Sequence, residues 1–291
     1  MRPRFPWISL PVFIAALAIH TASAQIQVLA VTDAATFTPG LPFAGSLATV
    51  FCKGLTGITG VQAAASYPLP DQIAGVSVTI NGTGAPLLAV ANSGGYQQIN
   101  IQVPPLPGLS GIFGPQTIQV TQSGHSGSIT FQWPSTWGVF FAGSSGYVAA
   151  QHADYSAVTP DHPARPGEVL TVYATNLVGV GDISNAPPIG SAAQESPLAT
   201  VPLSVHTQDE NLVRGVSING TSAAISYLGL TPGAAGVFQI NLQVPENTPD
   251  GDAIVMASSC GGVCLSTSAC GSNLSQCTYS RPAKLPVRAG Q

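Results

Sequence analysis

Charge is scarce in this chain. Only 7% of its 291 residues are Asp, Glu, Lys or Arg, and they sum to −4 at neutral pH. No Lys/Arg cluster is present, which excludes the basic footprint that nucleic-acid binding requires. Helical periodicity is nearly absent. So are long apolar runs after the N-terminus, which leaves no segment suited to crossing a bilayer as a helix. No glycine loop leads into a helix to cradle phosphate. No G-x-S-x-G elbow occurs either: GHSGS at 124–128 does not match it and falls on a turn.

What remains is apolar and turn-rich. Hydrophobic residues make up 45%, with 32 Gly and 25 Pro. Ser, Thr, Asn and Gln must therefore solvate the surface. That composition excludes disorder and fits an extracellular β protein. The N-terminus agrees. Arg2 and Arg4 precede an apolar stretch from Ile8 to Ile19, and Ala22-Ser23-Ala24 is a small-residue cleavage site. Residues 1–24 read as a signal peptide, so a secreted or cell-surface protein is expected.

One phrase occurs twice: QINIQVP at 98–104 and QINLQVP at 239–245. Alternating β-branched and amide residues describe a strand with one apolar and one polar face. INGT precedes both copies, at 80–83 and 218–221. Asn-Gly supplies the two positive-φ residues of a type I′ hairpin turn. GSLATVFCKGL (45–55) matches GEVLTVYATNL (167–177), and Asp33…Thr38-Pro39 matches Asp154…Thr159-Pro160. The block order is the same in both halves. The chain is thus a tandem duplication with about seven short strands per copy. It is all-β: two immunoglobulin-like β-sandwich domains, 25–137 and 138–291. The boundary lies near an aromatic cluster of Trp133, Trp137, Phe140 and Phe141.

The blocks YPLPDQIAGVSVTINGTGAPLLAV, QQINIQVP, HADYSAVTPDHPARPGEVLTVYATNL and YLGLTPGAAGVFQINLQVP resemble the Solibacter-type C-terminal domain family of secreted acidobacterial proteins. The resemblance implies tandem immunoglobulin-like domains on an exported protein. It implies no activity. The chain differs from the family in lacking a large upstream region and in carrying a cysteine-rich insert, 259–278.

Five cysteines are present. Cys52 matches Ala174 in the repeat, so it reads as a small buried residue with a free thiol. Cys260, Cys264, Cys270 and Cys277 are then disulfide candidates with three open connectivities. Their spacing lacks the C-x₂-C knuckle of a zinc site. The insert occupies a hairpin tip, where it serves either as a recognition loop or as a stapled loop.

His152, Asp154, Asp161 and His162 form a histidine–carboxylate group that could serve acid–base chemistry. In the sequence alignment Asp33 matches Asp154, so both are expected to close Asx turns, while His152 falls opposite Val31. No nucleophile is placed beside them. Asp209, Glu210, Asp250 and Asp252 lack calcium-loop spacing and read as solvated turn residues. The amides Gln98, Asn100, Gln102 and Gln239, Asn241, Gln243 form the same ladder twice. They are either a sugar-binding face, together with aromatics such as Tyr96 and Tyr155, or the solvated face of a sheet. No catalytic set, metal site or cofactor motif emerges. The expected role is adhesion or scaffolding without catalysis, the partner being an extracellular polysaccharide or another surface protein. A carbohydrate-binding module and a secreted hydrolase using His152 and His162 are the alternatives.

Overall fold

Hydrophobic residues separate into two cores along the chain. One runs from Ile26 to Val120 and the other from Phe140 to Val287. The computed structural model describes residues 25–93, 95–106, 114–132, 138–142, 145–206, 210–263 and 277–289. The expected signal peptide at residues 1–24, and Trp133, Trp137, Asp209, Cys264 and Cys270, lie outside them.

Domain 1 contains β1 (Gln27–Asp33), β2 (Leu47–Lys53), β3 (Gly60–Ala63), β4 (Val76–Ile80), β5 (Thr83–Ala85), β6 (Leu87–Ser93), β7 (Tyr96–Gln102), β8 (Pro115–Gln122) and β9 (His125–Gln132). They form two sheets, β1-β2-β7-β6-β3 and β5-β4-β8-β9. Domain 2 contains β10 (Val139–Phe140), β11 (Ala150–Gln151), β12 (Val169–Thr175), β13 (Ser204–His206), β14 (Glu210–Ile218), β15 (Thr221–Ser222), β16 (Ala224–Leu230), β17 (Phe238–Gln243), β18 (Gly251–Val263), β19 (Cys277–Tyr279) and β20 (Ala283–Val287). Its sheets are β10-β12-β17-β16, with β11 on β12, and β13-β14-β18-β19, with β15 on β14 and β20 on β18. Each domain is an immunoglobulin-like β-sandwich. The strands exceed seven per copy because the Asn-Gly hairpins add the stubs β5 and β15, and the first strand of domain 2 is split into β10 and β11.

The repeated phrase is a central strand in each domain. β7 lies between β2 and β6, and β17 between β12 and β16. Ile99, Ile101, Ile240 and Leu242 are fully buried. Each contributes about 1.5–3 kcal/mol of transfer free energy before entropy is subtracted. The Asn-Gly turns adopt the expected geometry, with φ of 49° and 82° at Asn81-Gly82 and 50° and 78° at Asn219-Gly220. Each Asn side chain also accepts a backbone N–H from the neighbouring strand, Thr117 in one case and Ile254 in the other. Turn and sheet are thereby coupled. Cys52 and Ala174 occupy equivalent buried positions, opposite Gln97 and Phe238. Burial pushes the Cys52 thiol up to about 11, which keeps it unreactive. Phe140 packs in the core of domain 2.

The two sandwiches meet end to end through polar contacts. The Gln102 amide donates to the Gly45 carbonyl at 2.9 Å, and its oxygen accepts the Gly190 N–H at 2.6 Å. Phe43 N donates to Asn176 Oδ1 at 2.7 Å, and Leu47 N to Thr175 Oγ1 at 3.1 Å. Leu69 N donates to the Gly190 carbonyl at 2.6 Å. Gly236 must be glycine here, since a Cβ would stand 2.5 Å from Leu47 Cδ2 and its φ is +69°.

Gln243 is the repeat counterpart of Gln102 and donates to the Gly167 carbonyl at the same 2.9 Å. The side chain is exposed, and no described residue donates to its oxygen. The two glutamines therefore carry different weight. Gln102→Leu orphans two buried backbone groups and should lower stability by about 2 kcal/mol or more, whereas Gln243→Leu should stay within about 0.5 kcal/mol. Urea unfolding of both variants beside the parent checks the difference.

Candidate functional site

A cleft of about 970 Å³ lies at the end of domain 2 away from domain 1. His152, Asp154, Asp161, His162, Arg165 and Glu168 line it, with Arg288 from the C-terminal segment. The structure therefore brings together all four residues of the histidine–carboxylate group.

Strand register corrects their origin. Thr32 lies opposite Thr49, and Gln151 opposite Thr171. Since Thr49 and Thr171 are repeat equivalents, the next residues correspond: His152 takes the place of Asp33, not of Val31. The Asp…Thr-Pro match is therefore out of register by two residues. The loops differ in length, because Gly40 N closes onto Val31 O in domain 1 and Val158 N onto Ala150 O in domain 2. Both aspartates still close Asx turns. Asp33 accepts from the N–H groups of Ala35, Thr36 and Thr38, and Asp154 from that of Ser156.

His152 is buried and both ring nitrogens are engaged. Nδ1 lies 2.6 Å from Glu168 Oε1, and Nε2 lies 3.2 Å from the His162 carbonyl oxygen. Both partners are acceptors, so the arrangement is fully satisfied only when the ring carries two protons. Burial is the largest single effect on His152 and favours the neutral ring. The Glu168 hydrogen bond, the His162 carbonyl and the charges of Glu168 and Asp154 together outweigh it and hold the pKa above the ordinary histidine value.

Glu168 has a second task. Its Oε2 accepts the Arg165 N–H at 2.9 Å. Arg165 is two residues before Gly167, as Phe43 is two before Gly45. In domain 1 the Phe43 N–H is satisfied across the junction by Asn176. At the corresponding end of domain 2 the acceptor is Glu168 of the same domain, and His152 holds that acceptor in place.

That arrangement is unsuited to acid–base catalysis. With both ring nitrogens donating to acceptors, His152 has no free lone pair with which to act as a base. His162 is exposed, with its ring centroid 4.2 Å from that of His152 and Nδ1 3.5 Å from Ser156 Oγ. Ser156 Oγ donates to Asp154 Oδ1 at 2.6 Å, and this hydroxyl, with the Ser156 N–H, holds the Asp154 carboxylate below its usual range. In a hydrolytic triad histidine bridges serine and carboxylate. Here serine bridges carboxylate and histidine, so no activated nucleophile results. Among the described residues no group of three or more His, Cys, Asp or Glu is placed to hold a metal.

The remaining candidates fall elsewhere. In each ladder the first amide donates to the second, Gln98 to Asn100 at 2.9 Å and Gln239 to Asn241 at 3.0 Å. A threonine hydroxyl, Thr49 or Thr171, donates to the same Asn oxygen. These bonds recur in both copies and serve the sheet. Gln102 leaves the polar face for the junction, contrary to the expectation of two like ladders. Cys260 and Cys277 form a disulfide at opposed positions of β18 and β19. Asp250 accepts the Ala289 N–H, and Asp252 accepts the Tyr147 hydroxyl and faces Lys284 Nζ at 3.3 Å, so both are committed within the fold. Sequence reasoning missed Glu168, Thr175, Asn176 and Gly190. The available signal was the replacement of Ser46 by Glu168 between copies.

No family model and no curated protein matches the chain. Among solved structures it is similar to the I9–I11 tandem of titin, at 9% identity over 91% of this chain and 66% of that one, with a TM-score of 0.21. It is similar to the titin Z1Z2 domains solved with telethonin, at 12% identity over 91% and 100%, TM-score 0.21. It is also similar to invasin, a bacterial integrin-binding protein, at 11% identity over 91% and 40%, TM-score 0.22. At such scores the sandwich assignment rests on the sheet order of this chain itself. Among the described residues no helix is long and apolar enough to cross a membrane.

The His152–Glu168 pair makes stability depend on pH. Because His152 is raised in the fold, its contribution is complete below the unfolded value of about 6.5 and fades as pH rises through the folded value. The thermal midpoint should fall across that window in the parent and change less in His152→Gln, as measured by circular dichroism.

Proposed function

We propose that the chain is an exported, non-catalytic two-domain protein acting in adhesion or scaffolding at the cell surface. The observation that carries this reading is the hydrogen-bonded junction. Gln102, Thr175 and Asn176 lock two sandwiches end to end, which suits a rigid spacer that presents surfaces at fixed separation. Two further features support it. The histidine and glutamate in the cleft of domain 2 are hydrogen-bonded to each other and to the backbone, and the Cys260–Cys277 disulfide ties β18 to β19. The signal peptide and the resemblance to the Solibacter-type family support export. The partner in this reading is an extracellular polysaccharide or another surface protein.

The size of the cleft favours a second reading, a secreted hydrolase using the exposed His162. The two readings separate in one experiment. The purified mature chain is mixed with cell envelopes, washed with salt, and assayed in parallel on ester, amide and glycoside substrates. Retention without turnover is expected. A protein that stays in the supernatant, or one whose turnover disappears in His162→Ala, contradicts the adhesive reading.

A further inference from the structure

The outer face of the β1-β2-β7-β6 layer in domain 1 differs from its counterpart in domain 2 where rings and amides meet. Register places Ala30, Phe51, Gln98 and Ala91 in one row across four strands. The next row is Thr32, Thr49, Asn100 and Ala89. At the strand spacing each row spans about 14 Å. Phe37 folds over this face with its ring 5.9 Å from that of Phe51. Phe37 is 51% exposed and Tyr96, at the start of β7, is 56% exposed. Leu29, Ala30, Phe51, Tyr96 and Gln98 enclose a shallow groove of about 500 Å³. Lys53 Nζ sits 5.2 Å from the Tyr96 ring centre, and no carboxylate lines the groove.

In domain 2 the same rows are closed. Tyr173 stands at the place of Phe51, and its hydroxyl donates to Gln151 Oε1 at 2.6 Å. Tyr227 replaces Ala89 and lies over Gly229, where a Cβ would come 2.5 Å from its hydroxyl oxygen. Valine replaces Tyr96. The amide pair and its threonine persist in both copies, so their mutual bonds belong to the fold. The residues around them diverge, and in domain 1 the described residues leave a ring-lined groove open.

We propose that this groove is a glycan-binding platform for a neutral pyranose polymer. The inference rests on the adhesive reading above and names the partner. Exposed rings offer flat apolar faces to the C–H side of a sugar. Gln98 Oε1 and Asn100 Nδ2 make no hydrogen bond to a described residue, leaving one acceptor and one donor for hydroxyl groups. Few polar groups among apolar walls is the pattern of a small-ligand site. An extended peptide gains nothing here, because β2 and β7 are central strands whose backbone groups are already paired. A globular partner needs an interface of roughly 1,000 Å² or more, and the groove is far narrower.

The test uses the full mature chain and insoluble cellulose, xylan, chitin and β-1,3-glucan, with pectin as a uronate-bearing comparison. Retention on at least one neutral polymer is expected. Tyr96→Ala and Phe37→Ala, both exposed and therefore tolerated by the fold, should each weaken it about tenfold or more. Tyr155→Ala, on domain 2, should bind like the parent. Failure of the folded parent to bind any neutral polymer overturns the platform. Retention on pectin alone that disappears in Lys53→Gln also overturns it, as ionic capture. An equal loss in Tyr155→Ala overturns the assignment to domain 1. If no glycan is held but envelopes still retain the chain, the platform fails while the adhesive function stands.

Discussion

A single side-chain amide fixes how the two halves of this protein stand to each other. Gln102 spends its N–H on its own domain, at Gly45, and its oxygen on the next, at Gly190. The groups lie where water is excluded, so each must find a protein partner or cost about 1–3 kcal/mol. Leu47, Gly236 and the Asn176 side chain then pack around that constraint. A hydrophobic junction could slide, whereas hydrogen-bond geometry sets an orientation. The duplication thus yields two sandwiches joined by hydrogen bonds at a set orientation.

The same constraint explains the free end. Each domain of this design ends in a loop whose backbone N–H needs an acceptor. Between the domains the neighbour supplies one through Asn176. After the second domain, Glu168 supplies it, with His152 as its buried partner. A histidine, a glutamate, a serine and aspartates in one cleft look like chemistry when viewed as a residue inventory. Their hydrogen bonds tie them to one another and to the loops at this end of domain 2.

Much of this architecture was legible in the repeat. The strand QIN-x-QVP, the two Asn-Gly turns and the equivalence of Cys52 with Ala174 follow from local pattern, because side-chain period and turn φ are local properties. The role of Gln102 was not legible. Its local context, QIN-x-QVP, is the same as that of Gln243, and what separates the two is whether another domain covers them. The pairing of Asp33 with Asp154 misled for a related reason. A shared loop motif marks similar turn chemistry but does not fix register, which is set by backbone pairing with β2 and β12. Glu168 was hidden because one acidic residue at a strand start looks like ordinary solvation. Only the folded geometry shows that it accepts the Arg165 N–H and pairs with His152.

The central claim is that hydrogen bonds make the two sandwiches one body. Backbone ¹⁵N relaxation on the mature chain tests it most directly. A single rotational diffusion tensor should fit the amides of both domains, and Gln102→Leu combined with Asn176→Ala should split it into two. If the parent already needs separate correlation times for the two domains, they move independently and the account of the junction is contradicted.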